Sequence, residues 1–462
     1  MSGFLLANEL IAERWLLRWL LSVKCLYLSL VVACAWYSSD FDVEQFRGVN
    51  VRWPRSGDPV FGTPFATWDG AHYLYLSEIG YSNGMPSCAF YPLWPLTVRW
   101  LSPFTGGSHI IAGLVLSNAF SLMAWFLFYW LVAQRCGGAV ANWALILLIV
   151  FPGSLFYQFI YSESLFFLLV MLLWYGLEQR HYHVAWLAAC LLPLTRAVGV
   201  FAVLPVAWHA LKLAPPRWWG KLVQKWKWLE KIGQGTALEG GQRQNVCAML
   251  AEGRTEPGLP AAECGFVKAP GLLLVAPLVG WGCYLALMWH WTGNAFEGFK
   301  AQRYWGVHSV LNLVNLPKFI AGMFTPTEWH EFAGSLLDRC VFVLFASTLL
   351  LIWRVDRGLL VWAYWLGILP AMSGTFTSYT RYASCAFPMF IALGVFLAAK
   401  HETRSGEVQT TAKEAGTAHP QQSAIAKRQS AFLFWLKWIL LAGFAVLHVV
   451  LAWRFVNFRW AG

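Results

Sequence analysis

Residues 68–95 read WDGAHYLYLSEIGYSNGMPSCAFYPLWP, a polar, aromatic and proline-bearing stretch between two long apolar runs. Its ionisable side chains near the start are those of Asp69, His72 and Glu78. Prolines at positions 86, 92 and 95 exclude a continuous helix through its second half. Such a polar segment beside apolar spans must lie at a water boundary or line a protected cavity.

The composition around this stretch is that of a protein embedded in a membrane. Of 462 residues, 58% are hydrophobic and only 12% are charged. Several apolar runs approach or exceed the roughly 20 residues that a helix needs to cross a bilayer. The 29 Trp and 16 Tyr residues are sufficient to form aromatic belts at both interfaces. The chain is therefore predicted to be an all-α polytopic membrane protein.

Charge and cysteine usage exclude other classes. The formal charge of +11 arises from basic residues at the ends of apolar runs, which membrane topology explains better than nucleic-acid binding. The ten Cys form no CxxC pair and fall mostly inside apolar runs, so they are interpreted as small buried hydrophobes. Walker, GxGxxG and HExxH motifs in their required contexts are absent from the sequence, which disfavours nucleotide chemistry.

Hydropathy predicts about eleven transmembrane or half-membrane helices in a single integral membrane domain, 1–462. Lys24, the one interior charge of the first run, in which Arg18 lies near the start, is expected to reach the interface by snorkelling. The run at 183–211 is too long for one crossing, and Pro193 is expected to break it near Arg196. The apolar runs are 16–37, 108–132, 139–160, 163–178, 183–211, 271–291, 339–354, 358–373, 384–399 and 432–455.

The segments between the runs differ in charge, which predicts their side of the membrane. Segment 38–104 has four basic and six acidic residues and is assigned as the first extracytoplasmic loop. The insert 212–268, with nine basic and five acidic residues, is assigned to the cytoplasm. The polar, net basic segment 400–431 is interpreted as a cytoplasmic linker before the last helix. Arg196 and Arg381 then face the same side as the first loop.

Asp69 is the strongest candidate for a catalytic base. If 68–79 is a short helix, Asp69 and His72 share one face, where the carboxylate can accept a proton from a substrate hydroxyl. His72 would orient the acceptor or join Asp69 in holding a divalent cation, although two ligands define a metal site weakly. The structural alternative is that Asp69 caps the helix, with Thr67 as a competing cap.

Two arginines and one glutamate extend the candidate site. A guanidinium within an apolar run is costly unless paired, and its fork suits a phosphate group. Arg196 is therefore a candidate phosphate ligand, or else the partner of Glu163 or Asp69 in an ion pair. Arg381 in TSYTRYAS has the same two interpretations. Glu163 follows Ser162 and is explained equally well by helix capping. Aromatic residues such as Tyr304 and Trp305 suit sugar stacking or an interfacial belt.

Four motifs in order carry a resemblance to a known family. They are WDGAHYLYLSEIGY with AFYPLWP, then FPGSLFYQFIYSESLF, LTRAVGV and AQRYWG, and they extend from Trp68 to Gly306. The chain resembles the GPI mannosyltransferase 2 (PIG-V-like) family, whose fold is of the GT-C glycosyltransferase type. The resemblance implies transfer of mannose, or another hexose, from a polyprenyl (dolichyl) phosphate to a hydroxyl of a lipid-linked glycan, with inversion. The acceptor would be a GPI-type precursor or a bacterial equivalent.

The resemblance also implies roles for residues and a location. Asp69 would be the catalytic base with His72 beside it. Substrate-binding candidates are Trp68, Glu163, Arg196, Gln302, Trp305 and Arg381. Membrane lipids are the expected surroundings, in the endoplasmic reticulum of a eukaryote or the inner membrane of a bacterium, with the site facing the lumen or the outside. No cofactor is certain, and a divalent cation is possible.

Two rival functions remain open from the sequence. A flippase or transporter of lipid-linked sugars would also contain broken helices and intramembrane charges, and internal repeats would favour it. A membrane scaffold would distribute its polar residues over both faces of the membrane instead of gathering them on one.

Overall fold

The computed structural model describes residues 2–37, 40–49, 53–213, 270–305, 316–332, 334–373, 376–398 and 420–462. Most of the predicted basic insert (214–268) and the first part of the predicted linker (400–419) lie outside these ranges, as does Gly306. Within them the secondary structure is helical, with one isolated bridge between Glu328 and Ser335. The prediction of an all-α chain is confirmed for this part of the sequence.

The α-helices of eight or more residues fall into long and short classes. Five are long and apolar enough, among the described residues, to cross a membrane. These spans are Arg14–Trp36, His109–Cys136, Leu272–Thr292, Leu336–Val355 and Trp435–Val456. The other helices are Asp69–Glu78, Leu93–Leu101, Gly138–Val150, Glu163–Glu178, Tyr182–Thr195, Val203–Leu213, Leu316–Met323 and Phe387–Ala398. The five spans indicate a membrane protein, whereas the expected count of about eleven crossings is not confirmed.

The core is built around helices that are apolar on every side. In the Glu163–Glu178 helix nearly every residue is buried, and the same holds for Phe387–Ala398. A helix without a polar face is stable only when neighbouring helices surround it. The Glu163–Glu178 helix packs against His109–Cys136 and Tyr182–Thr195, and the latter packs against Pro270–Thr292.

One helix end was predicted incorrectly from the sequence. The run at 139–160 was expected to be one span, but its helix ends at Val150 and a 3₁₀ segment, Pro152–Tyr157, follows. Pro152 lacks the amide hydrogen that an α-helix would use, so the chain turns there. Every residue from 151 to 171 is buried. Irregular backbone at this depth is tolerated because protein, not lipid, surrounds it.

Lys24 also departs from expectation, because it does not reach the interface. Its ammonium group is buried and donates to Ser121 Oγ at 2.7 Å, Gln158 Oε1 at 2.9 Å and the Tyr157 carbonyl at 3.2 Å. It also lies 4.1 Å from the centre of the Trp125 ring. The three donors of Lys24 thus tie the first helix to the end of the irregular segment, and snorkelling is wrong for this residue.

Candidate active site

Asp69 opens the Asp69–Glu78 helix and points its carboxylate at Arg381. Its Oδ2 accepts a hydrogen bond of 2.6 Å from Arg381 Nη1, and its side chain keeps 21% of its surface exposed. Oδ1 accepts no hydrogen bond from the described residues. Trp68 occupies the N-cap position, and its side chain forms no capping hydrogen bond. The Thr67 hydroxyl does not cap the helix either and donates to the Phe455 carbonyl. Arg381 thus holds one carboxylate oxygen of Asp69, and the other oxygen is available to accept a hydrogen bond.

Glu163 joins the two arginines. Its Oε1 accepts from Arg196 Nη1 at 2.7 Å and lies 3.0 Å from Arg381 Nε. The Glu163 side chain is 1% exposed, whereas those of Arg196 and Arg381 are 12% and 8% exposed. We call Asp69, Glu163, Arg196 and Arg381 the four-charge cluster. Its two positive and two negative charges balance, as buried charges require.

The ion-pair interpretation is therefore confirmed for both arginines. The ion pairs still leave guanidinium N–H groups available as donors. Arg196 uses only Nη1 among the described residues, and its guanidinium lies 4.6 Å from the Tyr382 ring centre. A cavity of about 10 Å³ beside it, with room for about one water molecule, is lined by Phe166, Arg196, Val198, Leu366, Pro370, Tyr382 and Cys385. Burial alone would lower the pKa of Arg381, but the carboxylates of Asp69 and Glu163 reverse this, so the pKa lies well above its usual value. Arg381 stays positive at any working pH.

Local chain breaks place the arginines. The Tyr182–Thr195 helix ends two residues after Pro193, and Arg196 is extended before the 3₁₀ segment Ala197–Ala202. This break is where the sequence predicted it. Arg381 lies on a short helix, Tyr379–Ala383, that follows two residues with positive φ, Phe376 and Ser378.

Two contacts with Thr380 hold the Tyr379–Ala383 helix in place. Asp338 Oδ1 accepts from the Thr380 amide at 2.6 Å, and the Asp338 side chain is fully buried. Gly153 lies so close that a Cβ there would collide with the Thr380 carbonyl. The sequence analysis missed Asp338, although a carboxylate directly before the apolar run 339–354 is the signal that could have identified it.

Trp68 precedes Asp69 in a conformation that is rare for a side chain of its size. Its φ is 53° and its ψ is −121°. Such strain costs about 1–3 kcal/mol and persists only when the surroundings determine it. The Trp68 ring stacks on Phe458 with centroids 4.7 Å apart and meets the edge of Trp460 at 5.3 Å. Within the described residues its ring thus has protein partners.

His72 lies on the same helix as Asp69 but has different partners. Its Nδ1 is 2.9 Å from Ser87 Oγ, and its ring stacks on Phe90 at 4.9 Å. Trp305 meets the His72 ring edge-on at 5.0 Å and donates to the Pro86 carbonyl at 3.2 Å. Gln302 donates to the Ala89 carbonyl at 2.9 Å. Through these contacts the three candidates hold the 86–90 segment.

The part of the chain that the structure describes offers no set of ligands for the divalent cation considered from the sequence. No group of three or more His, Cys, Asp or Glu side chains is arranged there to hold a metal ion. Asp69 is bound by Arg381 and His72 by Ser87.

Comparison with known families bears on the first half of this site. Residues 57–228 match the family described as Mannosyltransferase (PIG-V). The match confirms the resemblance drawn from the motifs, and its range includes Asp69, His72, Glu163 and Arg196. The AQRYWG motif and Arg381 lie beyond it. No curated protein sequence matches the chain.

Solved structures of an oligosaccharyltransferase align with most of the chain at low identity. For AglB of Archaeoglobus fulgidus in complex with an inhibitory peptide and a dolichol-phosphate, identity is 12%, coverage is 94% of this chain and the TM-score is 0.43. For the apo form of the Archaeoglobus fulgidus enzyme, identity is 12%, coverage is 94% and the TM-score is 0.44. The alignments cover 56% of either oligosaccharyltransferase chain.

Proposed function

We propose that this protein is a membrane glycosyltransferase of GT-C type. It would transfer mannose, or another hexose, from a polyprenyl phosphate to a hydroxyl of a lipid-linked glycan. The observation that carries the proposal is the four-charge cluster, in which partly exposed Asp69, with one unengaged oxygen, pairs with Arg381 and is linked through Glu163 to Arg196. The family match over 57–228 and the five apolar helices support it.

The reaction needs a base for the acceptor and a cation for the leaving group. The acceptor oxygen attacks the anomeric carbon of the donor sugar, and its proton passes to Asp69 Oδ1. The bond between that carbon and the phosphate oxygen breaks, and the electron pair leaves with the polyprenyl phosphate. Because this is a single displacement at one carbon, the anomeric configuration inverts. No acid is required for a leaving group that departs as an anion.

The arginines account for the phosphate side of the reaction. Arg196 has donors beyond the one that binds Glu163, and its guanidinium lies beside the rings of Phe166 and Tyr382. A bidentate guanidinium stabilises the negative charge that develops on the departing phosphate. Arg381 holds Asp69 in place and contributes a second fixed positive charge. We assign the cluster to the extracytoplasmic side, in agreement with the acidic balance of segment 38–104.

The test is hexose transfer by purified protein in proteoliposomes supplied with a radiolabelled polyprenyl-phosphate mannose and an extract of acceptor lipids. We expect Asp69→Asn to reduce transfer by at least a hundredfold, because an amide cannot take the proton. Asp58→Asn is the matched control, since Asp58 forms an exposed ion pair with Arg47. Unchanged transfer in Asp69→Asn would remove Asp69 from the mechanism. Movement of the labelled lipid across the bilayer without new glycosidic product would instead identify a transporter.

A further inference from the structure

The turn that follows the last long helix packs against the residue before Asp69. Phe458 is fully buried, and its ring is nearly parallel to that of Trp68, with an interplanar angle of 7°. The Trp68 indole donates to the Arg459 carbonyl at 3.3 Å. The Thr67 hydroxyl donates to the Phe455 carbonyl at 3.1 Å, and Thr67 in turn accepts from Tyr161. The two residues before Asp69 are thus tied to the last helix and to the turn that follows it.

Both stacked residues have backbone conformations that disfavour large side chains. The φ angles are 53° for Trp68 and 59° for Phe458. The residue after a helix end often adopts this left-handed region, but glycine usually occupies the position. An aromatic residue at this position is explained if the contacts of its ring offset the unfavourable backbone conformation. The Phe458 ring stacks on Trp68 and also contacts the rings of Phe41 and Phe46.

The turn is also fixed from its outer side. Arg454 donates from Nε to the Trp460 carbonyl at 2.7 Å and from Nη2 to the His330 carbonyl at 3.1 Å. Its Nη2 also pairs with Glu331 at 2.7 Å. Trp460 packs edge-on against Trp68. The turn is therefore held between the loop that carries His330 and the start of the Asp69–Glu78 helix.

We propose that Phe458–Trp460 is a positioning element for the catalytic base, which holds Trp68 and so sets the direction of the Asp69 carboxylate toward Arg381. Trp68 is then a positioning residue and does not stack on substrate. The inference rests on the proposed function for its effect on catalysis, but the mechanical coupling of the turn to residues 66–72 is independent of it. A base displaced by about 1 Å loses on the order of a hundredfold in rate.

Phe458→Leu tests the proposal, because it keeps an apolar side chain and removes the ring. We expect at least tenfold faster amide hydrogen exchange over residues 66–72, with unchanged exchange in the Glu163–Glu178 helix. We also expect kcat for hexose transfer to fall at least tenfold while the donor KM changes less than twofold. Phe458→Tyr should restore both values. Phe104→Leu is the control, since Phe104 is 86% exposed.

Each other outcome contradicts part of the proposal. Unchanged exchange over 66–72 would overturn the coupling, and faster exchange with unchanged kcat would overturn the positioning role. A wild-type protein without transfer activity would refute the proposed function, while the exchange measurement would still test the coupling. Arg454→Lys is the alternative variant if Phe458→Leu does not fold, because Arg454 holds the turn without being part of the ring stack. We expect it to change amide exchange and kcat in the same directions as Phe458→Leu.

Discussion

At the scale of single residues, the two arginines of the four-charge cluster are not equivalent. Arg381 contacts both carboxylates, with distances of 2.6 Å to Asp69 Oδ2 and 3.0 Å to Glu163 Oε1. Among the described residues Arg196 forms an ion pair with Glu163 alone, and its guanidinium also lies beside the Tyr382 ring. In the proposed reaction Arg381 would therefore hold the base, and Arg196 would bind the donor phosphate.

This difference predicts what Arg196→Lys does. A lysine retains the charge but not the fork, so the donor phosphate loses a bidentate contact. We expect the donor KM to rise about tenfold, which corresponds to roughly 1.4 kcal/mol of binding free energy. Arg47→Lys is the control, because the Arg47 side chain is 61% exposed in a surface ion pair. A donor KM equal to that of the wild type would leave Arg196 with only its ion-pair role.

At the scale of helices, the Tyr379–Ala383 helix is positioned by elements far from it in sequence. Asp338 on the Leu336–Val355 helix accepts the Thr380 amide, and the buried 3₁₀ segment Pro152–Tyr157 packs against the same residue at Gly153. Five residues cannot form a stable helix alone. The direction of the Arg381 side chain thus depends on these two contacts.

Removal of the first contact should disturb both stability and transfer. Asp338→Ala leaves the buried Thr380 amide without its acceptor, at a cost of about 1–3 kcal/mol. Asp338→Asn keeps an oxygen for that amide. We expect Asp338→Ala to lower the thermal midpoint in detergent and reduce kcat at least tenfold, and Asp338→Asn to retain most activity. Equal behaviour of the two variants would show that the Thr380 contact does not position Arg381.

The second contact is tested by adding one methyl group. In Gly153→Ala the new Cβ would collide with the Thr380 carbonyl, so the short helix must shift. We expect loss of at least tenfold in transfer. Gly138→Ala is the matched control, because it lies in a helix and its Cβ would have no atom within 4 Å. Full activity of Gly153→Ala would contradict the close packing that we describe.

At the scale of the whole molecule, ionic clusters lie at both ends of the Glu163–Glu178 helix. Glu163 belongs to the four-charge cluster, and Glu178 accepts from Arg135 at 2.7 Å, which also pairs with Asp356. The two glutamates are 15 residues apart, or about 22 Å along a helix axis. That distance is most of the roughly 30 Å hydrocarbon core of a bilayer. The two clusters therefore mark opposite faces of the protein.

Opposite faces predict opposite labelling. In intact cells a membrane-impermeant maleimide should modify Ser56→Cys, in the loop before Asp69, after subtraction of the background from native cysteines. Gln179→Cys, beside Glu178, should react only after permeabilisation. Both positions are exposed. Labelling of both from the same side would contradict the arrangement.

Several features of this arrangement could be predicted from the sequence. Local rules identified the helix at 163–178 and the break at Arg196, because a 16-residue apolar run and Pro193 act on their own neighbours. The turn at Pro152 was missed, since its burial depends on partners such as Lys24 on another helix. The Asp69–Arg381 pair joins residues 312 positions apart. The sequence offered this pair and a phosphate contact as alternatives for Arg381 and could not choose between them, whereas the charges of the connecting segments predicted that both residues face the same side.

The central claim is that Asp69 and Arg381 act as one unit in hexose transfer. The most direct measurement is a double-mutant cycle on kcat/KM with Asp69→Glu and Arg381→Lys, which change reach but keep charge. We predict that each single change costs at least tenfold, and that the double variant loses at least tenfold less than the product of the two losses. Losses that multiply would contradict the claim that the two residues work through their contact.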